Sequence, residues 1–491
     1  MDSGAKRPGI NRLSRLEEDV RQSFDYLCLN TDPWVPHSAD IDDVVTIVGA
    51  GQNGIATAYA LRRKGIVARV IEAEKEGAEG VWLKRARMRS LRTPKDRPGP
   101  ELSIPALTFK AWYVAKFGID AYLAMGLPPR ETWADYLVWF RKVLQIEVEF
   151  ETRLISVEPL GPNLKLVVSA NDAHRTITTR KVILATGLSA GGTVNIPTVI
   201  ADNLPRHRFA HTNDVIDFGA LKGKRIGILG ASASGFDAAA TALENGAASA
   251  RIFCRSSDLA RGTRSRLVDF PGADYFHLLP DEERWRVASL YLARGNHPPP
   301  TAIARAAVHE HFHLHLGSPW ENVHLNGHAV QVESLGRTFE FDFLILATGF
   351  RHNPTLAPEL RSVASNIALW NDRYVPPLEE RNEVLGDFPY LGDALQFLEK
   401  VPGAFPCIPN IHVVNMSALL SHLRIVGDIK CLGFTSERLA NGIVRDLFLA
   451  DRSAHIARLT SPIVPELSGA EYANLVWKAP DGVTKDKLAQ V

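Results

Sequence analysis

The chain has 491 residues, of which 45% are hydrophobic and 23% are charged, and its net charge at pH 7 is +1. This length suits two or three domains, and the composition is typical of a soluble globular protein, while the small net charge gives no electrostatic basis for a nucleic-acid partner. The four cysteines are scattered without a Cys-x-x-Cys pair, which argues against a disulfide scaffold and against a dithiol redox centre.

The N-terminal region, residues 1–40, is predicted to hold an amphipathic helix over Leu13–Leu27 and a connector. The sequence has no apolar segment long enough to span a bilayer, and neither end resembles a secretory or organelle signal. We therefore expect a cytoplasmic enzyme without a membrane partner.

The first strong pattern is a glycine turn between a strand and a helix. An apolar strand is predicted over Val44–Val48, and Gly49, Gly51 and Gly54 follow it. The first glycine permits a tight turn, the second allows a pyrophosphate to approach the backbone, and the third lets the helix pack on the strand. A second strand, predicted over 68–71, ends at Glu72, whose carboxylate can accept hydrogen bonds from a ribose. This pattern predicts a site for FAD or NAD.

Residues 75–140 are predicted to be a long excursion that is rich in Arg, Trp and Pro and closes with a helix after Pro128-Pro129. We call residues 87–97 the arginine segment, because it contains a dense group of cations: Arg87, Arg89, Arg92, Lys95 and Arg97. A substrate carboxylate would find bidentate partners there, and the alternatives are contacts with a pyrophosphate or with solvent. Strands near 146–158 and 163–169 then lead to a third strand that ends in Ala185-Thr186-Gly187.

A second glycine turn contains Gly230, Ser232 and Gly235 and is followed by a strand predicted over 250–254. That strand ends in Arg255 and Ser256 rather than in an acid. A guanidinium binds a 2′-phosphate bidentately, whereas a carboxylate would repel it. The second turn therefore predicts an NADPH site, and two dinucleotides on one chain predict electron transfer between them.

The rest of the chain completes this pattern. A helix-rich stretch over 258–316 interrupts the second site, and its end is interpreted as a strand with alternating histidines at 309, 311, 313 and 315. No metal is expected there, because ligands of other types do not accompany the histidines at a suitable spacing. A second Ala-Thr-Gly at 347–349, a strand at 410–415 and a helix near 435–449 follow. Asn415, Ser421 and Asp428 are candidates for flavin contacts.

These motifs resemble those of the class B flavoprotein monooxygenases over nearly the whole chain. Beyond the glycine turns, the resemblance rests on Gly80-Val81-Trp82, Thr93-Pro94-Lys95, Ser234-Gly235-x-Asp237 and Ala347-Thr348-Gly349-Phe350. It implies an α/β fold of two Rossmann-like domains with three-layer sheets, and FAD contacts for Trp82 and Thr93. The implied division is an FAD domain in two parts (41–215 and 341–455), an inserted NADPH domain (216–340) and a C-terminal tail (456–491).

The family fingerprint Phe-x-Gly-x-x-x-His is broken here. His211 fits the histidine, but Pro205 and His207 stand where Phe and Gly are expected. This departure favours the N-hydroxylating branches over the Baeyer–Villiger and microsomal types. Several segments, including YLCLNTDPWVP and FHLHLGSPW, resemble a microbial branch linked to N-oxygenation of small amino acids such as aspartate, some of whose members are named urate hydroxylases.

The resemblance implies that NADPH reduces FAD and that a C4a-hydroperoxide of the flavin then oxygenates nitrogen in a small polar substrate, so that the flavin carries the chemistry. The candidate substrate contacts are Arg89, Arg92, Lys95 and Arg97. The alternatives are a Baeyer–Villiger or urate-type hydroxylase, a reductase that does not oxygenate, and a non-catalytic FAD-bound scaffold. The sequence leaves open whether the protein forms a homo-oligomer.

Overall fold

The computed structural model describes residues 11–29, 31–170, 173–424 and 426–478. The helices, in chain order, are α1 (Arg12–Tyr26), α2 (Gln52–Arg62), α3 (Phe109–Phe117), α4 (Ile119–Ala124), α5 (Arg130–Val143), α6 (Thr198–Ala201), α7 (Ala233–Glu244), α8 (Asp281–Arg294), α9 (Pro300–Ala307), α10 (Glu383–Gly386), α11 (Leu419–His422), α12 (Leu432–Ala450) and α13 (Arg452–Leu459).

Most of the strands are short, as is usual in globular proteins. In chain order they are β1 (Asp43–Val48), β2 (Arg69–Ile71), β3 (Thr152–Leu160), β4 (Asn163–Ala170), β5 (Ala173–Leu184), β6 (Thr193–Val194), β7 (Phe209–His211), β8 (Arg225–Leu229), β9 (Ser249–Phe253), β10 (Phe312–His315), β11 (Asn322–Asn326), β12 (Ala329–Ser334), β13 (Arg337–Phe341), β14 (Phe343–Leu346), β15 (Phe350–Arg351) and β16 (Ile411–Val413).

The first sheet has the order β2-β1-β5-β4-β3, and β16 also pairs with β5. Strands β2, β1, β5 and β16 run parallel, while β3 and β4 form an antiparallel extension. The predicted strand at 146–158 begins only at Thr152, because Glu151 has a left-handed backbone (φ 53°) that ends the preceding turn.

The second sheet has the order β10-β9-β8-β14-β7, and all of its strands are parallel. Helix α7 packs on it through a row of fully buried alanines, whose small side chains let the helix approach the isoleucines Ile226, Ile228, Ile252 and Ile345. The predicted α/β fold class with two Rossmann-type sheets is confirmed.

Two features of the second sheet differ in extent from the sequence interpretation. Strands β7 and β14 belong to it although they lie outside the predicted range 216–340, and the domain division stays a prediction. The histidine-rich strand is shorter than expected, because its parallel pairing with β9 starts at Phe312. His309 and His311 therefore precede β10.

The two stretches of chain that connect the sheets pair with each other. Phe350 of β15 pairs with Val194 of β6 in a two-stranded antiparallel sheet. Beside it, the Asn195 amide donates to the Gly349 carbonyl at 2.9 Å. The chain thus passes into the second sheet and back along one hydrogen-bonded ribbon.

The described chain divides into two compact units, one up to Arg445 and one from Asp446 onward. The first contains both sheets, and the second contains the end of α12, α13 and a 3₁₀ turn at Ala473–Leu475. Among the described residues, no helix has the length and apolar character needed to cross a membrane.

Candidate active site

The first glycine turn has the geometry that the sequence predicts. Gly49 has φ 106°, and a Cβ there would lie 2.5 Å from the Ala185 carbonyl oxygen. A Cβ on Gly54 would lie 1.8 Å from the Gly49 oxygen, and one on Gly51 would approach the Gly80 Cα at 3.4 Å. Larger residues are therefore excluded at Gly49 and Gly54, and the absence of a side chain at Gly51 leaves the start of α2 open to a phosphate.

Glu72 follows β2 and is buried beside this turn. Its Oε2 accepts a hydrogen bond from the Ala50 amide at 2.8 Å, and its Oε1 accepts one from the Glu74 amide at 2.9 Å. These two bonds fix the carboxylate, and each oxygen keeps a second lone pair for a ribose hydroxyl. The turn and the acid together fit an adenine dinucleotide.

A cleft of about 740 Å³ extends from this turn. Such a volume lies in the upper part of the range of small-molecule sites, roughly 300–1,000 Å³. Its lining combines both sheets and their connections, and it includes Gly49, Gly51, Glu72, Trp82, Arg92, Thr186, Asn213, Ser234, Asp237, Phe350 and Gly427. The first glycine turn and the start of α7, which follows the second turn, therefore face one shared space, whereas the predicted NADPH residues Gly230, Ser232, Gly235, Arg255 and Ser256 are not part of its lining.

The second glycine turn repeats the geometry of the first. Gly230 has φ 111°, and a Cβ there would lie 2.4 Å from the Ala347 oxygen, while one on Gly235 would lie 2.0 Å from the Gly230 oxygen. Ser232 precedes α7 and makes no capping hydrogen bond with its side chain. Arg255 and Ser256 are exposed just past the end of β9. This placement fits a coenzyme phosphate approaching from solvent, outside the lining of the cleft.

The four predicted substrate contacts already have protein partners. Arg89 Nη2 lies 2.9 Å from Glu244, and Arg97 Nη2 lies 3.6 Å from Asp269. Lys95 Nζ donates to the carbonyls of the α4 region, including that of Tyr122 at 2.6 Å. Arg92 Nη2 donates to Asp237 at 2.6 Å and is the member of the four that lines the cleft. Of the four candidates, Arg92 is therefore the one whose side chain can contact a ligand in the cleft.

Thr93 and Asp428 meet beside the cleft, next to the lining residues Arg92 and Gly427. The Thr93 hydroxyl donates to Asp428 Oδ1 at 3.4 Å, and burial raises the pKa of Asp428. Gln52 lies nearby and was not singled out from the sequence. Its side chain donates to the Gly427 carbonyl at 2.7 Å and accepts from the Trp133 indole at 3.2 Å. The only sequence signal for Gln52 is its position directly after Gly51, inside the glycine turn.

The other candidates for flavin contacts, Asn415 and Ser421, make internal contacts. Asn415 lines the cleft and donates to the carbonyls of Leu188 and Ala190 at 3.0 and 2.8 Å. The Ser421 hydroxyl accepts from the Trp370 indole at 3.2 Å and is fully buried. Asn415 therefore holds the loop after the first Ala-Thr-Gly, whereas Ser421 is bonded to Trp370 and to the Leu391 amide and does not line the cleft.

His211 is fully buried at the end of β7. Its Nδ1 accepts a hydrogen bond from the Asn213 amide at 3.0 Å, and its ring meets Phe350 edge to face, with 5.5 Å between the ring centroids. Burial lowers the pKa of His211 to about 4. The imidazole is thus neutral at pH 7 and holds the turn that borders the cleft.

Two glycine turns of this geometry, with the first turn and the helix after the second turn lining one cleft, define a class of oxidoreductases in which a flavin and a pyridine nucleotide meet. The comparison with family models agrees, because residues 43–376 match the pyridine nucleotide-disulphide oxidoreductase family. The chain belongs to this family. The predicted oxidoreductase class and the predicted cofactors, FAD and NADPH, are confirmed at the level of the family.

Among curated proteins, the chain is similar to the FAD-dependent urate hydroxylase of Xanthomonas campestris pv. campestris. The two are 38% identical over 450 residues, which cover 90% of this chain and 95% of that protein. The predicted relationship to flavoprotein monooxygenases with urate-hydroxylase-named members is therefore confirmed.

Solved structures with a similar fold include two N-hydroxylating enzymes. The reduced ornithine hydroxylase of Pseudomonas aeruginosa has a TM-score of 0.64 at 17% identity and covers 83% of this chain and 100% of its own. The L-lysine 6-monooxygenase of Pseudomonas syringae has a TM-score of 0.63 at 18% identity and covers 82% and 99%. At these identities, the likeness concerns the fold.

Proposed function

We propose that this protein is an NADPH-dependent FAD monooxygenase that oxygenates nitrogen in a small polar substrate. We further propose that the substrate carries a carboxylate, as aspartate does. The observation that supports both is the single cleft that runs from the first glycine turn to α7, with the Arg92 guanidinium on its wall. Bound FAD, once reduced by NADPH, supplies the reaction with O2, and this chain supplies the binding groups.

The proposed binding groups lie in the cleft and beside it. The first glycine turn and Glu72 bind the adenine dinucleotide of FAD. The Gly230 turn, Ser232, Arg255 and Ser256 bind NADPH. Arg92 binds the substrate carboxylate, because a guanidinium recognises a carboxylate through two parallel N–H donors. Within the described residues, the hydrogen bonds of Arg92 engage only its Nη2, which leaves the rest of the fork for a ligand.

A disulfide reductase, the chemistry in the name of the family, is not supported by the cysteines. Within the described part of the chain, which includes all four, none of them lines the cleft. Burial raises the pKa of Cys431 to about 11 and also raises the pKa of Cys407. Both side chains therefore stay as thiols at neutral pH, and a thiol is a poor nucleophile.

Urate is a second candidate substrate, because the relative that shares 38% of its residues is named a urate hydroxylase. Urate is an anionic ring with several N–H groups, so a guanidinium on the cleft wall would suit it as well. Aspartate and urate differ in the atom that is oxygenated, which is nitrogen in the proposal and carbon in a ring hydroxylation. The product therefore distinguishes the two.

The decisive experiment incubates the FAD-loaded protein with NADPH, ¹⁸O₂ and either aspartate or urate, and analyses products by mass spectrometry. The proposal expects one ¹⁸O atom on the aspartate nitrogen and NADPH consumption that depends on aspartate. A labelled product from urate would instead identify urate as the substrate. A lactone from a cyclic ketone would favour a Baeyer–Villiger enzyme, and NADPH oxidation that yields only hydrogen peroxide with every substrate would contradict the monooxygenase.

The proposed contact of Arg92 with the substrate can be tested by substitution, with other residues of the arginine segment as controls. Arg92→Gln should raise KM for the carboxylate substrate at least tenfold, since a lost charged hydrogen bond costs about 1.5–3 kcal/mol. Arg89→Gln and Arg97→Gln remove cations whose partners lie outside the cleft, so KM should stay within about twofold. Equal effects of all three changes would contradict a specific contact at Arg92.

A further inference from the structure

We propose that Asp237 is a positioning residue for flavin reduction. In this inference, its ion pair with Arg92 sets the place of helix α7, and hence of the nicotinamide, relative to the flavin. The inference rests on the cofactors of the proposed function, and it does not depend on the identity of the organic substrate.

The carboxylate of Asp237 joins two parts of the chain that are distant in sequence. It lies in α7, its side chain is 7% exposed, and it lines the cleft. Its Oδ2 accepts from Arg92 Nη2 at 2.6 Å, and its Oδ1 accepts from Arg305 Nη1 at 3.2 Å. Burial raises the pKa of Asp237, while the two cations oppose this shift. A buried carboxylate between two guanidinium groups fixes the relative position of all three.

A second carboxylate on the same helix extends this network. Glu244, at the C-terminal end of α7, accepts from Arg305 Nε at 2.9 Å and from Arg305 Nη2 at 2.8 Å. Arg89 reaches the same carboxylate at 2.9 Å. Arg305 Nη1 also donates to the Arg87 carbonyl at 3.2 Å. Both ends of α7 are therefore tied to the arginine segment.

Arg87 adds a third tie, to the loop after β7. Its Nη2 donates to the Asp214 carbonyl at 2.8 Å, and its Nη1 contacts the Thr212 carbonyl. The guanidinium is largely buried, and this burial lowers the pKa of Arg87 to about 10, so it remains charged at pH 7. Loop 212–214 is connected through β7 to the second sheet.

The opposite side of the arginine segment is attached to the first sheet's helices. The Leu91 amide donates to the Pro128 carbonyl at 2.8 Å, and the Arg130 amide donates to the Arg89 carbonyl at 3.2 Å. Pro128 and Arg130 stand at the start of α5, which packs in a cluster of aromatic rings. The segment therefore works as a strap between α5 and α7.

Hydride transfer from NADPH to the flavin is sensitive to the position of α7, which the arginine segment holds. A hydride leaves NADPH with its electron pair and passes to the flavin, which gives NADP⁺ and reduced flavin. The two reacting atoms must lie about 3–3.5 Å apart, and a misplacement of 1 Å can cost a hundredfold in rate. Since α7 follows the turn that holds the coenzyme, loosening α7 displaces the hydride donor without removing any phosphate contact.

The test is anaerobic reduction of the FAD-loaded protein by NADPH, followed at the flavin absorbance in a stopped-flow instrument. Asp237→Asn should lower the limiting rate of reduction at least tenfold, while Kd for NADP⁺ changes by less than threefold. The slower step should show a larger kinetic isotope effect with NADPH deuterated at the transferred position. Glu340→Gln is the control, because it breaks an exposed pair with Arg225 and should leave the rate unchanged.

Three further variants keep the inference falsifiable. Asp237→Glu retains the charge and should recover part of the rate. Arg92→Gln should also slow reduction at least tenfold, and the double variant should be no slower than Asp237→Asn, because Asp237→Asn has already lost its pair with Arg92 together with its pair with Arg305. If Asp237→Asn does not retain FAD, Arg92→Gln takes its place, since that side chain is 43% exposed.

A reduction rate within twofold of the wild type in Asp237→Asn and Arg92→Gln would overturn the inference. So would a rise in Kd that matches the fall in rate, since Asp237 would then bind the coenzyme rather than place it. These measurements use neither O2 nor an organic substrate. A failure to find an oxygenated product would therefore contradict the proposed function but would not affect the inference about Asp237.

Discussion

A Cβ atom at Gly230 would lie 2.4 Å from the carbonyl oxygen of Ala347, and one at Gly49 would lie 2.5 Å from that of Ala185. In each sheet, the first glycine of the turn is thus pressed against the alanine of an Ala-Thr-Gly at the end of the neighbouring parallel strand. The two motifs, which stand more than a hundred residues apart in sequence, form one structural contact. Each turn therefore depends on a strand that the chain supplies much later.

Gly230→Ala should abolish reduction by NADPH while the protein keeps its flavin. The new Cβ would clash with Ala347, and φ 111° is itself unfavourable for alanine, at a cost of about 1–3 kcal/mol. Reduction rate and flavin content are the two measurements. Gly262→Ala is the control, because a Cβ added there would have no atom within 4 Å and its φ is not in the left-handed range. A normal reduction rate in Gly230→Ala would show that this turn does not bind NADPH.

Arg255→Ala should weaken NADPH far more than NADH. A lost bidentate phosphate contact costs on the order of 1.5–3 kcal/mol, which is about ten- to a hundredfold in affinity. Kd values for both coenzymes test this, with Arg261→Ala, which removes another exposed arginine nearby, as the control. Equal weakening of the two coenzymes would show that Arg255 does not contact the 2′-phosphate.

Glu72→Gln should release FAD. The carboxylate accepts hydrogen bonds from two backbone amides, and an amide side chain would turn an N–H group toward one of those donors. The loss of charged acceptors should weaken FAD about ten- to a hundredfold, which a dialysis or fluorescence titration can measure. Glu76→Gln, which changes an exposed glutamate whose partner is the buried Arg141, should retain the flavin. Full retention of FAD in Glu72→Gln would show that Glu72 does not bind the ribose.

The ion pair of Asp393 with Arg445 should make the free energy of unfolding depend on pH. Its hydrogen bonds with Arg445 hold the pKa of Asp393 down at about 2. A depressed pKa in the folded state stabilises the protein above the unfolded pKa of about 3.9, and this contribution is lost as the pH falls toward 2. Asp393→Asn should therefore lower stability at pH 7, and its difference from the wild type should shrink below roughly pH 5.

The size of that effect is limited, because the side chains of Arg445 and Asp393 are 46% and 44% exposed and water screens the pair. We expect about 1 kcal/mol or less in denaturant unfolding at pH 7. Asp202→Asn, at another exposed aspartate, serves as the control. A difference that stays constant from pH 7 down to about pH 2 would contradict the assignment to ionisation of Asp393.

The sequence predicts the glycine turns and their strands closely, for local reasons. A buried apolar run bounded by a glycine with positive φ specifies where a strand ends, so β1 differs by one residue at its start from the predicted Val44–Val48. Helix α5 likewise begins directly after Pro128-Pro129, because proline disfavours continuing a helix through the residue before it.

The partners of the arginine segment could not be predicted in this way. Arg92 and Asp237 are 145 residues apart, and nothing local to either one specifies the other. The same holds for β7 and β14, which pair with each other from opposite sides of the second glycine turn. Both relationships arise from packing between distant parts of the chain. A sequence pattern can show only that an arginine is present and cannot show whether its charge is free.

The ribbon of β6 and β15 has a mechanical consequence. Because the outgoing and returning connections are hydrogen-bonded side by side, they cannot separate without breaking the pairing of Phe350 with Val194 and the bond from Asn195 to Gly349. The two connections therefore form one joint between the sheets. The arginine segment forms a second link, through the pair of Arg92 with Asp237 and the bond from Arg87 to the Asp214 carbonyl.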